Sequence, residues 1–318
     1  MDFNLSATQR TWQSNAQQFA REMPGSNDAT AVVPRAARAG LIDRQIDLLS
    51  AALAIEAVAW ESAVSAVTLA MHTSVVCGLD DESLTSGEMV GAIALSSEDV
   101  PASSDGVLSG RASWVAPLSK KALAIVGVKG ADGLEAVAVA LDRPGVAMEP
   151  IASAGLRGLV CGHLRFDRAA FAAAGPTTPF MARVRVLLAA AGIGMGQRAL
   201  HESLKVARGH TGRGAGGEQT VQGLLADAAT DLDAARMLMW RAASSRDLSL
   251  SDASMAKLAS TEATQRAVAR ATQVVGVESF RSGHILEQLA QDVRALELFA
   301  GRTEALREAV AADILPHA

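Results

Sequence analysis

The first segment of the chain opens with Ser6-Ala-Thr-Gln9, a hydroxyl followed three residues later by an amide, and Trp12, Ala16, Phe19 and Ala20 then recur on one helical face. A break rich in Pro, Gly and Asn covers Pro24 to Asn27, after which an Ala/Leu/Val pattern predicts one long helix from about Asp47 to Val76, with Glu56 and Glu61 on its flank. Residues 1–83 therefore read as a helical domain.

From about Gly87 the texture changes. Short alternating runs such as "VGAIALSS", "GVLSGRASWV", "KALAIVGV" and "LEAVAVAL" are separated by turn residues at Lys129-Gly-Ala-Asp-Gly133 and Asp142-Arg-Pro-Gly145. Alternation of period two with turn chemistry between the runs predicts a small antiparallel sheet or barrel, here assigned to residues 84–172. The helical period then returns over residues 173–318 in four or five long segments, broken at Arg208 to Gly217, Ser244 to Asp252, Gly276 to Gly283 and Gly301. That pattern predicts a helical bundle. The fold class is mainly α with a small central β domain.

Composition sharpens this picture. Hydrophobic residues make up 49% of the 318, yet aromatics only 3% and tyrosine is absent, so the core is built from Ala, Leu and Val, which suits closely packed helices. The formal net charge is -5 and no basic stripe interleaved with aromatics occurs, which argues against a nucleic-acid partner. Cys77 and Cys161 lie far apart and the histidines are scattered, so no metal site is expected; His201-Glu202 begins like HExxH, but Lys205 stands where the second ligand belongs. The start, "MDFNLSATQR", lacks a basic segment followed by an apolar one, and the apolar stretch Ser62 to Val76 is too short to span a bilayer. A cytoplasmic protein without membrane insertion is the expectation.

Two glycine clusters call for a reading. Gly192-Ile-Gly-Met-Gly196 sits in continuous helical texture, where small residues let helices approach closely. Arg208-Gly-His-Thr-Gly-Arg-Gly-Ala-Gly-Gly217 precedes a helix and carries two arginines, which suits either an anion site or a solvated linker.

Four blocks share a register that resembles the acyl-CoA dehydrogenase family. Arg208-Gly-His-Thr-Gly212 through Gln219, with Leu225-Ala-Asp227 behind it, looks like R-x-x-F-G-x(6)-Q followed by L-A-D. Arg185, Ala189, Ala190, Gly194, Gln197 and Ala199-Leu200 are similar to the family's preceding helix, and Ala271-Thr-Gln-Val-Val-Gly-Val-Glu-Ser-Phe280 to A-x-Q-x-x-G-G-x-G-F, with Gln291-Asp292 where the family has R-D. In the β region Gly87 to Ser97 looks like G-E-x-x-G-A-x-A-L-T-E, and Leu108 to Ala116 like L-N-G-x-K-x-W-I-T. Gly155-Leu-Arg-Gly158 and Leu164-Arg-Phe-Asp167 close that region as in family members.

The resemblance implies a flavoprotein oxidoreductase of fatty acid or acyl-CoA metabolism: an N-terminal helical domain, a central β domain and a C-terminal four-helix bundle, assembled as an oligomer. It implies FAD as cofactor, an acyl-CoA thioester as substrate and an electron-transfer flavoprotein as redox partner. By carry-over, Arg208 and Gln219 serve a neighbouring subunit's FAD, Gln273 and Gly276 lie along the same cofactor, and Ser96 and Trp114 approach the flavin ring. A guanidinium suits pyrophosphate because it makes bidentate charge-assisted bonds, and glycine lets backbone approach closely.

Departures from the family cluster at the chemistry. The reaction removes an α-proton while hydride passes to flavin, so a carboxylate must stand near the α-carbon. The family's Y-E-G-T reads Phe299-Ala300-Gly301-Arg302 here, and the alternative acid position is Val184. Ala116, Thr211 and Val277 replace a Thr, a Phe and a Gly; the stretch Glu98 to Gly106 is shortened, and V-P-E-E-Y-G-G is missing after Gly40-Leu41. Three expectations follow: a partner subunit of a mixed oligomer, weak or inactive alone and sharing its FAD; a self-sufficient flavin enzyme in which Glu297 or Glu304, one turn to either side of Ala300, replaces the base; or a non-catalytic scaffold or ligand-binding relative.

Overall fold

The computed structural model describes residues 4–23, 29–95, 99–104, 106–130, 133–209 and 216–315. Five N-terminal helices come first: α1 (Ala7–Arg21), α2 (Ala29–Arg38), α3 (Leu48–Glu61), α4 (Ala63–Val76) and the single turn α5 (Glu82–Thr85). The Ser6/Gln9 capping box at the head of α1 forms in both directions, and Ala16, Phe19 and Ala20 are buried as their spacing requires.

The long helix expected over Asp47 to Val76 is two helices. Ser62 leaves helical geometry (φ -150°, ψ 109°) and its hydroxyl accepts the Ser65 N–H, so one residue ends α3 and caps α4. Hydrophobic period cannot reveal such a break, because α3 is buried on almost every side and α4 on all of them. Two buried hydroxyls on α4 are satisfied locally, Thr68 and Ser74 donating to carbonyls one turn back, and His72 Nδ1 accepts the Gly91 N–H at 2.9 Å. Burial pushes the His72 pKa down to about 4, which keeps the ring neutral and able to accept.

Among the described residues eight strands follow: β1 (Val90–Ala94), β2 (Ala102–Ser104), β3 (Val107–Val115), β4 (Ala122–Gly130), β5 (Gly133–Ala140), β6 (Val146–Ile151), β7 (Cys161–Ala170) and β8 (Ala172–Pro176). They form two four-stranded sheets, ordered β1-β4-β5-β8 and β2-β3-β7-β6. A bridge from Ile93 to Ala116 joins one to the other. The expectation of a purely antiparallel sheet is corrected at one edge, where β1 runs parallel to β4. β1 reaches that position after α4 and α5, so no hairpin constrains its direction.

The C-terminal region holds α6 (Thr177–Ala207), α7 (Gln219–Ala243), α8 (Leu250–Val275), a short 3₁₀ turn (Gly276–Phe280), α9 (Ile285–Leu298) and α10 (Thr303–Ile314). Hydrogen bonds from Ser260 to the Ala189 carbonyl and from Thr264 to the Gly192 carbonyl show α6 and α8 running side by side in the same direction. The first glycine cluster is the close-packing feature that its helical texture suggested. A β-carbon at Gly194 would stand 2.3 Å from the Glu56 carbonyl oxygen of α3, and one at Gly196 would stand 2.4 Å from Leu232 of α7. By length and apolarity α6 could cross a bilayer, but 83% of its most apolar window is buried among the other elements, so it is the central helix of the core.

The β region is tied to the bundle by a clasp. The Asp292 carboxylate on α9 is 1% exposed and accepts the Leu156 N–H at 2.5 Å, while Gln291 bonds the Arg157 guanidinium. Two of the motifs quoted above, Gly155-Leu-Arg-Gly158 and Gln291-Asp292, thus meet across 134 or more residues of chain. Removing the acceptor strands a buried amide, so Asp292→Ala should lose about 1–3 kcal/mol of stability. Asp292→Asn keeps the accepting oxygen and should recover most of it; urea unfolding of the two variants checks this, and equal losses would refute the clasp.

Candidate active site

The interruption between α9 and α10 is a tight turn. Phe299 is extended (ψ 142°), Ala300 adopts φ 54°, Gly301 φ 109°, and Arg302 occupies the N-cap of α10. Ala300 is one of four non-glycine residues with positive φ among the described residues, a conformation that costs an L-residue about 1 kcal/mol or more unless its surroundings hold it. Two buried cations do the holding. Arg185 of α6, 6% exposed, donates from Nε to the Ala300 carbonyl at 2.9 Å and from Nη1 to Ser254 Oγ at 2.7 Å. Lys257 of α8, with no exposed surface, donates from Nζ to the carbonyls of Glu297 at 3.0 Å and Gly301 at 2.8 Å.

Burial brings Arg185 down to about 10. It brings Lys257 down to about 7, with the Arg185 charge adding to the fall and Glu297 opposing it. Both cations are spent on backbone carbonyls, so they fix the shape of the turn. The sequence reading used Arg185 only as a motif anchor and passed over Lys257. Lys257 does lie on the buried α8 stripe, with Ala253, Ser254, Ser260 and Ala256 around it, so helical period alone carried a signal that a lysine stands in the core.

Neither acid considered as a replacement base is poised for proton abstraction. Glu297 accepts from Thr303 at 2.7 Å on one oxygen, and from Gln265 at 2.6 Å and Arg294 at 3.2 Å on the other. Burial alone would push it up, but those bonds outweigh burial and hold its pKa below the usual carboxylate range, which weakens it as a base. Glu304 lies in the first turn of α10 with its side chain 68% exposed beside Arg302. Val184, the alternative position, is an entirely buried valine.

The residues carried over for the cofactor fall into two groups. Trp114 on β3 is 53% exposed, adopts φ 55° and meets the His163 ring edge-on. Ser96 lies outside the described residues, as does Thr211. Arg208 caps the C-terminal end of α6 and is exposed; Gln219 opens α7; Gln273 is exposed in the last turn of α8; and Gly276 (φ 74°) begins the 3₁₀ turn. Because α6 and α8 are parallel and α7 returns between them, these four residues share the end of the bundle remote from the start of α6, where the Thr177 hydroxyl bonds the β5 carbonyl of Leu134. A 31-residue helix is roughly 45 Å long. Val277 and Phe280 stand exposed beside Gly276 at 84% and 77%, apolar surface at the same end. No cluster of side chains suited to a metal occurs among the described residues.

The family model for the acyl-CoA dehydrogenase C-terminal domain matches residues 177–315, the stretch that contains α6 to α10 and the turn. The human mitochondrial short-chain specific acyl-CoA dehydrogenase is 26% identical to this chain, over 85% of the chain and 76% of that protein. Over residues 177–315 the chain matches the acyl-CoA dehydrogenase family. Among solved structures, the glutaryl-coenzyme A dehydrogenase glutaryl-CoA complex superposes with a TM-score of 0.87 at 19% identity, covering 99% of this chain and 97% of that one. PigA with FAD and proline does so at 0.83 and 20%, covering 99% of each. At those identities the structures bear on the fold alone, and they share the acyl-CoA dehydrogenase architecture of helices, β domain and bundle.

Proposed function

We propose that this acyl-CoA dehydrogenase family member is a cytoplasmic partner subunit in an oligomer with a catalytic homologue, serving the α,β-dehydrogenation of an acyl-CoA thioester. The observation that carries this reading is the turn at 299–302: its backbone is held in place by Arg185 and Lys257, while an alanine stands at position 300 and the flanking acids are engaged or solvated. The shape of an active-site turn is kept without its base.

The cofactor residues favour the same reading. Arg208, Gln219, Gln273 and Gly276 gather at one end of the bundle while Trp114 stands on β3, and we read the two groups as half-sites for FAD contributed by two subunits. When bound, FAD would supply the hydride acceptor. In this assignment Arg208 and Gln219 grip the pyrophosphate of FAD held mainly by the homologue, Gln273 and Gly276 lie along it, and the exposed indole of Trp114 is available to pack on a flavin ring. The acceptor for the electrons is an electron-transfer flavoprotein, as the resemblance implies.

The isolated chain should oxidise acyl-CoA weakly or not at all with an artificial electron acceptor, because loss of a positioned base removes about 10²- to 10⁴-fold in rate. The measurement is turnover and flavin absorbance of the chain alone and co-purified with a homologue. Robust turnover by the chain alone would overturn the partner role, and a co-purified complex without flavin would favour a scaffold.

A further inference from the structure

Residues two apart on a helix point about 200° apart, so while Arg185 faces the turn, Arg183 faces the other side of α6. There a cleft of about 780 Å³ lies between the head of α3, the end of α4, the first turns of α6 and the α7–α8 connection. Its walls are apolar at Ile46, Leu48, Leu49 and Phe180. Its positive charge comes from Arg183 on the wall and from the exposed Arg246. The Asp47 carboxylate on the wall is committed already, capping α3 through the Ser50 N–H at 2.9 Å and the Ser50 hydroxyl at 2.5 Å.

Arg183 Nη1 is shut off from solvent and has no hydrogen-bond partner. Nη1 therefore lies behind the wall, but the guanidinium that lines the cleft carries further N–H donors, and an anion beside it gains charge-assisted hydrogen bonds. Thr178, Pro179 and Phe180 of the first turn of α6 line the same cleft, and no side chain caps that helix end. The partial positive charge of a helix start therefore adds to Arg183. The thiol of Cys77 is on the wall too: burial pushes its pKa up, and the nearby Arg183 charge pulls against that.

We infer that this cleft is a second ligand site, separate from the turn, that takes a small organic monocarboxylate with a short apolar body. The carboxylate meets Arg183 and the α6 start, and the chain lies against Phe180, Leu48 and Leu49. An inorganic anion would leave the apolar wall unused, and a neutral apolar molecule would leave Arg183 unanswered. The cleft is within the size range of small-molecule sites, about 300–1,000 Å³. This assignment does not depend on whether the protein takes part in dehydrogenation, since α6 stands between the two places.

Hexanoate tests it on the full-length protein. Calorimetry should show saturable binding, and bound hexanoate should slow maleimide alkylation of Cys77 several-fold, with Cys161 as the buried, unreactive reference. Hexanol, with the same body and no charge, should bind at least about tenfold more weakly, and Arg183→Gln should weaken hexanoate by about ten- to hundredfold. Ala174→Leu, which places bulk on the wall from β8, should likewise weaken binding at least about tenfold and covers the case in which Arg183→Gln does not fold. Equal affinity for hexanol and hexanoate, inorganic phosphate binding as tightly as hexanoate, or hexanoate binding that leaves Cys77 unprotected would each overturn the assignment.

Discussion

Ala300→Glu is expected to raise acyl-CoA oxidation by this chain, supplied with excess FAD, about 10²- to 10⁴-fold, the range that a positioned general base contributes. The backbone needed at position 300 already exists: the residue is not glycine, yet it holds φ 54°, so glutamate meets little strain that alanine does not. The Arg185 and Lys257 bonds go to carbonyl oxygens of the turn and survive any change of side chain at 300. Those side chains therefore keep the turn in place whatever stands at 300. Ala300→Gln is the control, equal in size and without a basic oxygen, and it should stay at the wild-type rate. If a folded, flavin-loaded Ala300→Glu protein is no faster than Ala300→Gln, the turn is not where catalysis was lost.

The alanine at 300 and the break at Gly301 were both legible in the sequence, because an interrupted helical period and a family motif in register each point to them. What the sequence withheld was the means of support. Arg185 and Lys257 are 72 residues apart, and nothing in either local pattern says that both end on the carbonyls of one turn. The Leu156–Asp292 bond is similar: each half lies inside a quoted motif, but only the packed structure shows that the two motifs meet. Local sequence patterns encode period, caps and turns; they do not encode which distant polar group answers which.

The same distinction explains the two errors of element. At Ser62 the surrounding helix is apolar all round, so a change of axis leaves the periodicity unchanged, and only the hydroxyl that caps α4 marks the place. For β1 the alternating pattern gave a strand correctly but carries no information on direction. The parallel pairing with β4 follows from the route of the chain through α5. The cleft beside Arg183 was hidden for another reason. Its wall is assembled from several elements distant in the chain, each of which reads as ordinary helix, strand or loop by itself.

Arg208→Ala separates the partner-subunit reading from the scaffold. Arg208 is exposed at the C-terminal end of α6, and the described structure gives its guanidinium no carboxylate to pair with, so its replacement should leave this chain folded. A charge-assisted hydrogen bond contributes about 1.5 to 3 kcal/mol. If Arg208 holds the pyrophosphate of FAD in a neighbouring subunit, the variant should weaken flavin binding by the mixed oligomer roughly ten- to hundredfold. The loss should appear as a lower flavin-to-protein ratio after gel filtration, with the subunit composition unchanged. Gln219→Ala, one uncharged hydrogen bond at the same end of the bundle, should cost about 0.5 to 1.5 kcal/mol and hence less flavin. In a scaffold that binds no flavin the two substitutions would be equivalent and silent, because each would remove only a solvated side chain. A purified mixed complex that keeps its full flavin content with Arg208→Ala would remove that residue from the cofactor site and, with it, the main reason for placing FAD across the subunit boundary.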